Sequence, residues 1–111
     1  MAEALKNARA NLTNEFQTVY TCPVATTAMV VSLLFSNIEG SNNYSITSQW
    51  RDSSESNVPT LIASTIVVPA DSTLTALTKS APLALEAGDT LEVLAAANAV
   101  IHATAVIVEI T

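Results

Sequence analysis

The chain has 111 residues, with ten acids against four bases for a net charge of −6; half of it (50%) is hydrophobic and only 13% is charged. That length suits one domain with a buried core, and so few charges leave a surface of Ser, Thr, Asn and Ala, or one covered by a partner. The lone cysteine, Cys22, excludes an intrachain disulfide or a thiolate metal cage, and after Ala10 only Arg51 and Lys79 stand against nine acids, which excludes a basic stripe for nucleic acid.

The start, MAEALKNARA, has no apolar segment of the signal-peptide kind, and the longest apolar runs, Met29-Val30-Val31 and Leu33-Leu34-Phe35, are far too short to span a bilayer. Synthesis in a cytosol and no membrane partner are therefore expected. Residues 1–14 are rich in helix formers but carry only Leu5 and Leu12 as large apolar side chains beyond Met1, too little for a stable isolated helix. They are expected to be an N-terminal arm or short docking helix outside a β-sandwich domain of residues 15–111. Leu5 and Leu12 are its candidate contacts with a neighbouring subunit, and loss of residues 2–13 is expected to leave the domain folded.

From there the chain alternates at period two, the signature of half-buried strands. Residues 14–22 (NEFQTVYTC) alternate up to Pro23, which cannot donate to a ladder. Residues 26–35 (TTAMVVSLLF) are expected to form the central strand, with Val31, Leu33 and Phe35 on one face and Val30 and Leu34 on the other. A polar loop over 36–43 follows, then Tyr44, Ile46, Ser48 and Trp50 share the apolar face of the next strand. DSSESN (52–57) reads as an exposed hairpin tip, TLIASTIVV (60–68) as a strand stopped by a Pro69 turn, and residues 73–77 and 83–85 as short strands.

The last stretch, 85–110, reads as an antiparallel strand pair entered through the tight turn Glu86-Ala87-Gly88-Asp89. Leu91 and Val93 share one face of the first run, while Val106, Val108 and Ile110 oppose Ile101 and Ile107 in the second, and β-branched residues argue against helix. A strand apolar on both faces needs two covers, which makes Ile101 and Ile107 candidate subunit-contact residues. The sum is an all-β, seven- or eight-stranded antiparallel sandwich, jelly-roll or immunoglobulin-like, with Val31, Leu33, Phe35, Ile46, Trp50, Leu91, Val93 and Val106 in its core.

The material for chemistry is thin. His102, the single imidazole, lies mid-strand with no acid or serine near it in sequence, and Cys22 has no neighbouring cation to lower its pKa; a structural role is expected for each. Asp52 and Glu55, or Glu86, Asp89 and Glu92, offer oxygen ligands for Ca²⁺ but lack EF-hand spacing. Neither a metal, a cofactor nor an enzymatic activity is expected. Tyr44 and Trp50 on one face give the rival reading of a carbohydrate-binding module.

Across FQTVYTCP (16–23), ATTAMVVSLLFSN (25–37), IVVPADSTL (66–74) and LALEAGDTLEVLAAANAVIHATAVIVE (83–109), the chain resembles small structural proteins of tailed bacteriophages, particularly marine cyanophage types. The resemblance implies a virion component, a capsid decoration protein or a neck, tail or fibre part. The strands that are apolar on both faces point to homo-oligomers, and a decoration protein on the capsid exterior, with the major capsid protein as partner, is expected ahead of a neck, tail or fibre place.

Overall fold

The computed structural model of the chain describes residues 2–111. Among them run nine strands: β1 (Glu3–Asn11), β2 (Gln17–Thr21), β3 (Thr27–Asn37), β4 (Tyr44–Asp52), β5 (Val58–Val68), β6 (Thr73–Leu77), β7 (Leu83–Leu85), β8 (Thr90–Ala95) and β9 (Ile101–Ile110). A single 3-10 turn, Ser53–Glu55, follows β4. One sheet has the order β1-β9-β3-β6, with β7 pairing β3 beyond β6, and the other has the order β2-β8-β4-β5. All pairs are antiparallel. The pairing is nested, as if one long hairpin were rolled up, and this is the jelly-roll arrangement. The expected sandwich is present, with nine strands rather than seven or eight because residues 3–11 add β1, and β3 is an interior strand of its sheet beside β9.

Three expectations need correction. Residues 3–11 are neither an arm nor a docking helix but the edge strand β1, paired with β9 over its whole length from Glu3↔Ile110 to Asn11↔His102. The sandwich therefore begins well before residue 15. Helix propensity is a weak preference that a waiting ladder overrides, and Ala4, Ala8 and Ala10 are small enough to lie on the inner face. Leu12, expected at a subunit contact, is 0% exposed in the core. The expected β8–β9 pair is also absent, because the break between them carries the chain from one sheet to the other.

The third correction is one of sidedness. Ile101 and Ile107, expected on an outer contact face, are 0% exposed and pack in the core with Ala103 and Ala105, while Val106 of the expected core lies half-buried on the outside. A bulge explains the matching reversal in β3. The register with β9 slips between Val30↔Ile107 and Ser32↔Val106, so Val31 is an extra residue, and Val30 joins Leu33 and Phe35 inside. A one-residue slip exchanges the faces of everything beyond it. Ile46, Leu91 and Val93 are buried as expected, and Trp50 is partly buried against them.

Ser48 sits in this core, fully buried, and its hydroxyl has no hydrogen-bond partner among the described residues. An orphaned buried hydroxyl costs roughly 1–3 kcal/mol, so Ser48→Ala is expected to leave stability unchanged or raise it by about 1 kcal/mol. Urea unfolding of the two chains checks this.

Candidate functional site

Among the described residues, no layer covers the outer face of the β1-β9-β3 sheet. Register lays its side chains out as a grid: Leu5 opposes Val108, Val108 opposes Met29, and Met29 opposes Ala84 on β7. On either side run the rows Glu3, Ile110, Thr27 and Asn7, Val106, Ser32. Leu5 is 73% exposed and Met29 38%, with Val106, Val108 and Ile110 half-buried. Five large apolar side chains thus share one outer face rimmed by Glu3, Asn7, Thr27 and Ser32, the pattern of a docking surface. Leu5 was legible in the sequence as a contact candidate. Met29, Val106, Val108 and Ile110 were not, because the bulge at Val31 and the true sidedness of β9 decide which residues face out.

Beneath this face, Glu109 fastens three strands together. Lys6 Nζ of β1 lies 3.0 Å from its carboxylate, and the Tyr20 hydroxyl of β2 in the facing sheet donates to it. The Tyr20 hydrogen bond, then that of Lys6, holds the Glu109 carboxyl below its usual range. Burial, then the hydrogen bond to Glu109 and the charge of that carboxylate, pushes the Tyr20 hydroxyl far up.

Glu109, depressed in the fold, contributes stability that is present above the ordinary carboxylate pKa of about 4.3 and lost as pH falls through its lower folded value. Tyr20, raised in the fold, contributes stability that is present below about pH 10 and lost as pH rises through its folded value. The urea midpoint is therefore expected to fall on acidification below about pH 4.3, and Glu109→Gln, which keeps an acceptor for Tyr20, is expected to flatten that acid limb.

The outer face of the other sheet carries a polar cluster, in which Gln49 Nε2 and Arg51 Nε donate to Glu92 Oε1 at 2.7 and 2.9 Å, beside the exposed β5 side chains Leu61 and Val67. Glu92 is thus committed to an ion pair. Asp89, the other central candidate for Ca²⁺, is buried and accepts from Ser53 N, Ser53 Oγ and Glu86 N at 2.9 to 3.0 Å, so its oxygens hold the loops together. Asp52 caps the 3-10 turn by accepting from Ser54 N at 3.0 Å. No group of three or more His, Cys, Asp or Glu side chains is arranged to hold a metal among the described residues.

Cys22 is 1% exposed, its Sγ 3.3 Å from Thr26 O, and burial raises its thiol pKa. It is a core residue, as expected. His102 is exposed at one end of the outer face, in an open cleft lined by Arg9, Ala10, Asn11, Ala103 and Thr104, with no carboxylate among the lining residues. Tyr44 and Trp50 do not form a sugar-stacking platform. Both are half-buried and pack against the core. No helix among the described residues is long and apolar enough to cross a membrane.

No protein-family model matches the chain, and no curated protein matches it. Two solved structures share the fold. A chain of the Bacillus endospore appendages, a family of disulfide-linked pili, superposes with a TM-score of 0.58 at 14% identity, covering 99% of this chain and 87% of that one. A chain of the T13 IBDV viral particle superposes with a TM-score of 0.53 at 8% identity, covering 97% of this chain but only 31% of that one. At these identities the likeness is one of fold.

Proposed function

We propose that the protein is a non-enzymatic structural component of a phage virion, a decoration protein seated on the outer shell of the head. The observation that carries this reading is the uncovered apolar grid of Leu5, Met29, Val106, Val108 and Ile110 on the β1-β9-β3 sheet. An open sheet face of this kind buries well against a broad protein surface and poorly against a small molecule, which needs a concave pocket.

Three further features support it. The sequence resembles tailed-phage structural proteins, the fold is shared with a chain of a viral particle and one of a pilus, and nine acids against two bases after Ala10 disfavour contact with packaged nucleic acid. A neck, tail or fibre place is the rival within the same class.

Copy number separates the two. Quantitative mass spectrometry of purified virions is expected to find this chain in an amount comparable to the major capsid protein. A few copies per particle would overturn the decoration assignment, and none at all would overturn the virion role.

A further inference from the structure

The sandwich has four sheet edges, and only one is regular. β2 is five residues long with a register shift beside Val19, and β6 and β7 are short and separated by the turn at Thr78 and Ala81. β5 is long, but Pro59 removes one of its donors and two register shifts against β4 bend it. Short strands, prolines and bulges are the usual guards against edge-to-edge pairing. β1 has none of them: nine residues in unbroken register with β9, no glycine, no proline, and an outer row of backbone groups that faces no strand among the described residues. Its only guards are the charges of Glu3, Lys6 and Arg9.

Those charges match themselves. The outward residues of β1 are Glu3, Leu5, Asn7, Arg9 and Asn11. Set a second copy antiparallel across a two-fold axis at Lys6, and Glu3 falls opposite Arg9 of the second copy, Leu5 opposite its Asn7, and Arg9 opposite its Glu3. Of the registers that keep outward residues opposite outward residues, this one alone pairs the two acids with the two arginines. The inner row brings Ala4 opposite Ala8, small against small, and the two Lys6 side chains meet already paired to their own Glu109 carboxylates at 3.0 Å.

We infer that β1 pairs antiparallel with β1 of a second copy, forming a two-fold dimer in which the β1-β9-β3-β6 sheets join into one continuous sheet. Both apolar grids then lie on the same side, doubling the docking face. The pairing follows from the edge alone and holds wherever the dimer is used. A closed two-fold contact is the commonest oligomer geometry and does not propagate.

The test is a charge swap in the full chain. Glu3 and Arg9 are exposed, and no ion pair holds either among the described residues, so their variants are expected to fold, with circular dichroism spectra like that of the parent. Light scattering coupled to gel filtration is expected to give twice the chain mass for the parent. Glu3→Arg and Arg9→Glu alone each replace two attractive cross-strand pairs with two repulsive ones and are expected to weaken dimerisation about tenfold or more. The double variant, which restores both pairs in reversed polarity, is expected to dimerise like the parent. A monomeric parent at millimolar concentration overturns the proposal. So do single variants that dimerise unchanged, which would point to the β5 edge, and a double variant no better than the single ones.

Discussion

A chain lacking residues 2–12 is expected to be unfolded or aggregated, without a cooperative urea transition, rather than a folded domain missing an arm. The deletion removes Leu12 from the core, where it is 0% exposed, and truncating one buried leucine alone costs about 2–5 kcal/mol. It also removes the whole β1 ladder and the Lys6 partner of Glu109, and it turns β9 into an edge. β9 is badly suited to that position, since its inner face is Ile101, Ala103, Ala105 and Ile107, all at 1% exposure or less. An unpaired apolar edge recruits other chains. Set against a total stability of about 5–15 kcal/mol for a natural domain, these losses together exceed what the remainder can absorb. Leu12→Ala is the graded version, expected to keep a cooperative transition with a lower midpoint. A deletion mutant that unfolds at the parent's urea midpoint would show β1 to be dispensable.

How much of this was legible follows from where each signal resides. Period-two alternation is local, so the strands from residue 14 onward and the interior place of β3 could be read directly. Sidedness could not, because both faces of β3 and β9 are apolar and only the bulge at Val31 decides that Val30 rather than Val31 faces inward. The same ambiguity put Ile101 and Ile107 on the wrong side of β9. β1 was missed for a different reason. Its alanines raise helix propensity, yet Ala8, Ala10 and Leu12 alternate with Arg9 and Asn11 at strand period, and that alternation was the readable signal.

Topology was beyond local reading. Two adjacent apolar runs joined by a short break resemble a hairpin, but a jelly roll sends consecutive strands to opposite sheets, so β8 pairs with β2 and β4 while β9 pairs with β1 and β3. The candidate surface inherits this limit. Leu5, Val108 and Met29 come from three distant segments, and only the sheet order sets them in one row. The Tyr20, Lys6 and Glu109 contact was equally hidden, since its members are polar residues on three strands of two sheets.

Asp89→Ala is expected to cost about 2–4 kcal/mol, a large effect for a polar loop residue, because it strips the acceptors from three part-buried hydrogen bonds at once. One carboxylate oxygen accepts from Ser53 N and Ser53 Oγ at 2.9 and 3.0 Å, and the other from Glu86 N at 2.9 Å. The backbone of the same residue accepts from Cys22 N, and Gly88 N donates to Cys22 O, so the turn before β8 ties the end of β2 to the 3-10 turn after β4. Gly88 is required there on two counts: its φ is +89°, and a Cβ would meet Ser53 Oγ at 2.9 Å. Asp89→Asn is the informative second variant. It keeps one acceptor oxygen but turns an NH₂ toward donors, so it is expected to recover part of the loss and no more. Urea unfolding of the parent and both variants gives the ranking. If asparagine restored full stability, a single accepting oxygen would suffice and the two-sided grip of the carboxylate would not be what holds these loops. If alanine cost less than about 1 kcal/mol, the value of one ordinary hydrogen bond, the loops would be held by their backbone contacts alone.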